Sequence, residues 1–402
     1  MKSRLKKIYA LIVILCIFNL TTPISQDCSG QEVIIEKTND FNFWIVGNSA
    51  KPRFGEHWYS MLEELQLYKD DFNCLLKTIA TEPHTVEEIL AHCEMSPTWL
   101  SLAIDSLEIH NFLEKSGNSE IYSKIPILTN SEMKRVQESL RPIARNVAEI
   151  IKEDIPMIMQ LYNELKTNDD PKWKDIAHLV IDKILIDGRF HRGLVVLERE
   201  RGFKDYYSKA QREIPAYFME SGSQYGTFGV NWYRIKGQGT TRDVYFFHGG
   251  PLKRYEFSFN EYGHKKYFEE IFHRVKTNGS LEELTDDEIQ IFKDLGWVLN
   301  DTLAIPFIQA YSLKVLYNNI LKELGNKAAN IVFERFSVIL DSYAQSPYSA
   351  FSDGAGDYIQ VCYHLLFASI IYELIELEAL PPIPEPCPDY YGVYVTIGSF
   401  FD

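Results

Sequence analysis

Three observations predict a mainly helical α+β fold. Apolar residues recur at helical spacing from Lys69 to Leu107, and again through most of the chain beyond residue 281. Two short runs, Phe112 to Lys115 and Glu120 to Lys124, flank a Ser-Gly-Asn-Ser turn. Aromatic residues crowd into 224–260 with the alternation of strands. A chain of 402 residues, 46% hydrophobic and 24% charged, is an ordinary folded globular protein, which excludes disordered, collagen-like and multi-span membrane classes. At roughly 150 residues per domain, two or three domains are expected.

The first 25 residues have the three parts of a secretory signal peptide. Lys2, Arg4, Lys6 and Lys7 precede an apolar run from Ile8 to Leu20, and small and polar residues follow from Thr21 to Ser25. That apolar run has 13 residues, short of the roughly 20 that a spanning helix needs. Cleavage near Ser25 is therefore expected, although Pro23 is unusual at the position it would occupy; an uncleaved anchor is the alternative. The expected product is exported to the periplasm or beyond the cell and keeps no integral membrane span. Removing residues 1–25 takes four basic and no acidic side chains, leaving 37 basic against 56 acidic and a balance of −19. Such a chain does not grip phosphate backbones by charge alone.

Cys28, Cys74, Cys93, Cys362 and Cys387 remain after Cys16 leaves with the signal. Five is odd, so at most four pair in an oxidising compartment. Cys28 is a candidate for lipid attachment, but Ser25-Gln26-Asp27 lacks the apolar and small residues that attachment requires. No spacing matches a zinc knuckle.

Residues 26–67 read as an irregular lead-in with isolated Trp44 and Trp58 and one strand near Phe43 to Val46. The pattern then sharpens over 68–130. Phe72, Leu75, Leu76 and Ile79 form a helical stripe; Thr85 and Glu88 make a capping box for a second helix carrying Val86, Ile89 and Leu90. Ser96 and Pro97 open a third helix with Leu100, Ala103, Ile104 and Leu107, and the hairpin closes the series.

Three short helices followed by a two-stranded hairpin resemble a winged helix-turn-helix. The resemblance lies in "TVEEILAHCEMSPTWLSLAIDSLEIHNFLEKSGNSEIYSKIPILT" and points two ways: to metal-sensing and multidrug-type bacterial repressors, and to the dimerisation domain of plant-type small-molecule O-methyltransferases. The first resemblance implies a third helix in the major groove and a wing on the backbone, both basic. Here the third helix has no Lys or Arg and carries Asp105 and Glu108. Over 68–128 only Lys69, Lys77, Lys115 and Lys124 face ten acidic residues, a balance of −6, which opposes DNA binding. The second resemblance requires a glycine-rich strand-to-helix turn for the nucleoside cofactor. Gly237 and Gly239, Gly249 and Gly250, and Gly354 and Gly356 occupy no such junction, so no cofactor is expected.

Residues 131–186 read as a helical arm or linker. Ser131 is the candidate cap of a stripe through Val136, Leu140, Ile143, Val147, Ile150 and Ile151, with Pro142 and Pro156 dividing it, and a further helix spans Trp173 to Leu185. Such an arm either supports a homodimer together with the winged-helix module or packs as an internal core helix.

Residues 187–402 are expected to form a C-terminal α+β domain. It opens on the most basic stretch of the mature chain, where Arg189, His191, Arg192, Arg199 and Arg201 are candidates to bind an anionic ligand. Glu198, Glu200, Asp205 and Glu213 offset much of that charge, which favours a solvated helix face. The aromatic stretch reads as a three-stranded antiparallel meander ending in Tyr255, Phe257 and Phe259. Trp232 and Tyr233 belong either to its core or to a platform for a saccharide or peptide.

Glu261 with His264 and Glu270 with His273 are two E-x-x-H pairs, but Gly263 interrupts the first and the further glutamates of a two-metal bundle are missing, so no metal is expected. Helices follow at Leu281 to Leu295, Ile305 to Leu324, Lys327 to Tyr343 and Tyr358 to Leu380. The last is apolar nearly all round and reads as a central core helix, with His364 a satisfied core histidine. The closing "YYGVYVTIGSFF" is a candidate extra strand for the meander.

No G-x-S-x-G elbow, P-loop or H-E-x-x-H is present, so no catalytic residue is assigned. The expected function is an exported, non-enzymatic binding or interaction protein that uses an acidic winged-helix module for assembly. The alternative is a winged-helix transcriptional regulator whose C-terminal domain senses a ligand.

Overall fold

A computed structural model describes residues 41–45, 68–167, 170–200, 216–220, 227–236, 241–250, 271–272, 274–275, 281–294, 297–299, 301–351, 355–383 and 392–398. Asn39–Asp402 is one compact unit, mainly helical with small sheets. In chain order the elements are β1 (Phe41–Ile45), α1 (Lys69–Ile79), β2 (His84–Thr85), α2 (Val86–His92), α3 (Pro97–Ile109), β3 (Leu113–Lys115), β4 (Glu120–Ser123), β5 (Ile127–Leu128), α4 (Asn130–Leu165) and α5 (Trp173–His178). A π-helical segment, Leu179–Phe190, leads into α6 (His191–Glu200), followed by β6 (Ala216–Glu220), β7 (Thr227–Lys236), β8 (Thr241–Gly250), α7 (Asp286–Asp294), β9 (Val298–Leu299), β10 (Thr302–Leu303) and β11 (Phe307–Gln309). The chain ends through α8 (Ala310–Leu316), a short π turn (Tyr317–Leu321), α9 (Lys322–Glu334), α10 (Phe336–Ala344), a 3-10 turn (Pro347–Phe351), α11 (Ala355–Glu376) and β12 (Gly392–Ile397).

Local signals account for the first helices. At the start of α2, the Thr85 hydroxyl accepts from the Glu88 N–H at 3.3 Å, and the Glu88 carboxylate accepts from the Thr85 N–H at 2.8 Å. This is the expected capping box. Pro97 starts α3 where its missing N–H costs nothing.

α4 departs from expectation. It is one helix of 36 residues, capped by Thr129 rather than Ser131 and unbroken by Pro142 and Pro156. Both prolines are exposed, while Val136, Leu140, Ile143, Val147, Ile151, Ile155, Ile158 and Tyr162 form one continuous buried stripe. Burying a single such side chain is worth roughly 1.5–3 kcal/mol, so the stripe outweighs a penalty of about 3 kcal/mol per proline. The stripe packs chiefly on α11 and α9, and buried Glu373 of α11 accepts from Arg141 at 2.9 Å and Arg145 at 2.8 Å. α11 is apolar and long enough to cross a membrane by composition, yet 78% of that stretch is buried inside the protein, consistent with a central core helix.

β7 and β8 form an antiparallel hairpin, and β12 joins β8 antiparallel with Val395 opposite Val244. β11 adds parallel to β12, so the sheet order is β11-β12-β8-β7. Residues 305–324, expected to be entirely helical, thus begin with a strand. The strand expected at Tyr255 to Phe259 lies outside the described residues. A second sheet, β1-β6-β5, and a third, β2-β4-β3, flank the helices of the N-terminal part.

One hydrophobic cluster runs from Phe41 through Leu100, Ile143 and Leu185 to Leu366 and Tyr394. Inside it, the buried Tyr348 hydroxyl accepts from the Ile127 N–H at 2.7 Å and donates toward the carbonyls of Ala80 and Ile127. A smaller cluster around Phe272, Phe292 and Trp297 packs against Val244 and Val395 of the four-stranded sheet.

Candidate functional site

Two places gather candidate functional side chains. The first is the outward face of α3. Its inward residues Trp99, Leu100, Ala103, Ile104 and Leu107 are buried. One helical turn and more apart on the other side, Leu102 and Ile109 are 61% and 78% exposed, and Tyr68, against the Trp99 ring at 5.9 Å, is 55% exposed. Asp105 and Glu108 lie beside this stripe. Lys115 of the hairpin approaches them at 3.7 and 3.3 Å, and Lys124 pairs with Glu114 at 2.9 Å. Its hydrogen bond holds the Glu114 carboxyl below the usual range. Lys77 pairs with Glu220 at 3.6 Å. Three of the four lysines of 68–128 are therefore bound by the protein's own carboxylates.

The second place is an enclosed polar cluster where the π-helical segment meets α11. In the segment the His191 N–H donates to the Ile186 carbonyl, five residues back, and the wider turn spaces its side chains differently from an α-helix. Gly188 accommodates it: a Cβ there would lie 2.9 Å from the Lys183 carbonyl oxygen. Lys183 donates to Asp187 in a close ion pair. Burial pushes the Asp187 carboxyl up, but the Lys183 charge and hydrogen bond outweigh it and leave it lowered. From α11, His364 donates through Nδ1 to the Gln360 carbonyl at 2.8 Å. Burial pushes His364 down to about 4 and His191, 6.4 Å away between ring centroids, also down. Both imidazoles are neutral at pH 7. His178 differs, because its ring nitrogens face two acceptors, Asp182 at 2.7 Å and the Pro381 carbonyl at 3.1 Å. Burial pushes it down, but the Asp182 charge and these bonds outweigh that and raise it.

Of the residues expected to bind an anion, Arg189 and His191 point to different neighbours. Arg189 turns to α9, where it donates to Asn326 at 2.6 Å and to the Lys322 carbonyl at 3.2 Å. His191 faces the opposite way, toward Phe367 and His364. Arg192 is exposed. Arg199 lies on α6, Trp232 pairs with Tyr245 and Tyr233 with Val244 in the hairpin; the side chains of these three, and all of Arg201, lie outside the described residues, as do Glu261, His264, Glu270 and His273. Lys183, Asp187 and His364 are the members of the enclosed cluster that sequence reasoning did not select. A signal exists: Lys183, Asp187 and His191 recur every fourth residue, but His364 joins them only through the fold.

No protein-family model, curated protein or solved structure matches the chain. Among the described residues no group of three or more His, Cys, Asp or Glu is placed to hold a metal ion. Cys74 and Cys93 form a disulfide with Cα atoms 5.9 Å apart, and Cys362 is a buried free thiol.

Proposed function

We propose that the chain is an exported, non-enzymatic interaction protein in which residues 68–128 form a winged helix-turn-helix-like module that assembles with a second copy of itself through α3. The carrying observation is the outward face of α3, where Leu102 and Ile109 are 61% and 78% exposed while the adjacent lysines are bound internally. Aligned exposed aliphatic side chains favour burial against protein, and a balance of −6 over 68–128 opposes the neutralisation of phosphates. Lys115 partly neutralises Asp105 and Glu108, which lowers the repulsion between two such faces related by a two-fold axis. The apolar stripe of α4 is spent inside the chain, so the assembly is assigned to α3 rather than to the arm. The Cys74–Cys93 disulfide supports the exported location, since such bonds persist in oxidising compartments.

The test is sedimentation of the mature chain across concentration. Wild type is expected to dimerise, and Leu102→Glu/Ile109→Glu to sediment as a monomer with an unchanged melting temperature. A wild-type monomer, or a double variant that still dimerises, overturns the assembly. Salt-sensitive retention of duplex DNA replaces it with the regulator.

A further inference from the structure

We propose that the His178 imidazole, held between the Asp182 carboxylate and the Pro381 carbonyl, is a proton-operated latch that ties the chain leaving α11 to the end of α5 and releases it as the solution turns alkaline. His178 is the last residue of α5 and is buried. Its Nδ1 lies 2.7 Å from Asp182 Oδ2, four residues on in the π-helical segment. Its Nε2 lies 3.1 Å from the carbonyl oxygen of Pro381, 203 residues later in the chain. One side chain thus joins two elements that the sequence keeps far apart.

Two acceptors on one ring set its protonation. A neutral imidazole carries a single N–H, so it donates to one acceptor and turns a lone pair on the other. The imidazolium, with an N–H on each nitrogen, satisfies both. Burial works against that charge, but the Asp182 charge, its hydrogen bond and the Pro381 bond outweigh it and strengthen proton binding. Asp182 is the charged group against the ring. Lys174 and Asp175 on α5 and Glu378 beyond α11 are exposed, where water screens them. The phenols of Tyr162 on α4 and Tyr394 on β12, both of which feel Asp175, are raised by burial and stay uncharged near neutral pH.

The segment beyond the latch is the part able to move. α11 ends in a turn where the Ala379 and Leu380 N–H groups donate to the Leu374 carbonyl at 2.8 and 3.2 Å. Within it Glu378 holds φ at 57°, a left-handed conformation that glycine adopts freely and a residue with a Cβ adopts at a cost. Such a turn persists while its surroundings hold it, and the His178 bond reaches it from another element at Pro381. Because the folded chain binds the His178 proton more tightly than the unfolded one, the latch is fully engaged below about pH 6.5 and is lost as pH rises through the folded value. The remaining N–H then stays with the carboxylate, the stronger acceptor, and the Pro381 contact is the one released. The inference is independent of the α3 assembly.

The experiment follows the full mature chain from about pH 6 to 9 with two readouts. Imidazole nitrogen NMR resonances give the protonation of His178, and amide exchange at Ala379 and Leu380, corrected for its intrinsic pH dependence, gives the opening of the turn. Both ring nitrogens are expected to be protonated at pH 7, with the loss of one proton centred above the ordinary histidine value. Opening at Ala379 and Leu380 is expected to rise about tenfold or more across that same transition, the scale of one charge-assisted hydrogen bond. Asp182→Asn keeps a hydrogen-bonding group in place and is expected to move the transition to lower pH, and His178→Gln to remove it from the exchange profile. A singly protonated ring at pH 7, exchange at Ala379 and Leu380 that ignores the His178 titration, or an unmoved transition in Asp182→Asn overturns the inference. The first two are read on wild type, so the outcome does not depend on either variant folding.

Discussion

The ion pairs on the α3 hairpin face and the ion pair in the π-helical segment use the same chemistry in opposite settings. Lys115, Asp105 and Glu108 are 41%, 59% and 42% exposed, so their attraction is screened and worth at most about 1 kcal/mol. Their consequence is the sign and availability of charge on a surface. Lys183 and Asp187 are enclosed, so each depends on the other to remain charged. Exposed pairs decide what the molecule can meet; enclosed pairs decide whether it holds together.

The largest effect that sharpens this contrast is expected from Lys183→Met. It strands a carboxylate, and urea unfolding should report a loss of about 3 kcal/mol, the low end for breaking a buried pair because Asp187 retains some solvent. Equal small losses for Lys183→Met and Lys115→Met would erase the distinction. Next, reducing Cys74–Cys93, with a sequence separation of 19, should lower stability by about 3 kcal/mol through the entropy of the opened loop. Tyr348→Phe leaves the Ile127 N–H without its partner and should cost about 1–3 kcal/mol in the same assay.

Acid gives a smaller, signed effect. His364 and His191 bind protons less readily in the folded chain than when unfolded. The contribution of His364 is present above about pH 6.5 and is lost as pH falls toward about 4, and that of His191 is lost in the same direction. His178, raised by Asp182, works the other way, favouring the fold at low pH and losing that contribution as pH rises through its folded value. The drop in urea midpoint from pH 7 to 4.5 should therefore be smaller in His364→Gln than in wild type, and an equal drop would remove His364 from the account. The smallest expected change is Lys115→Met, under about 1 kcal/mol.

Legibility followed the range of the interactions. The Thr85–Glu88 box, the Ser96-Pro97 start and the turn at Ser116 to Ser119 are encoded within a few residues, and the elements stand where those signals place them. α11 was readable because it is apolar all round. What escaped depends on distant partners. α4 runs through two prolines because α11 and α9 lie against it; Phe307–Gln309 becomes a strand because β12, nearly ninety residues later, accepts it in parallel. Lys183 and Asp187 resemble a routine helix-surface pair in sequence, and only the fold buries Lys183. Within the basic stretch, Arg189 and His191 leave the chain on different sides, which spacing along the sequence does not show.

The outward face of α3 can be interrogated directly by deuterium uptake over residues 97–109 at protein concentrations below and above self-association. Uptake there is predicted to fall as concentration rises in wild type and to stay constant in Leu102→Glu/Ile109→Glu. Concentration-independent uptake over 97–109 in wild type, with protection appearing on some other surface, would contradict the assignment of this face to assembly.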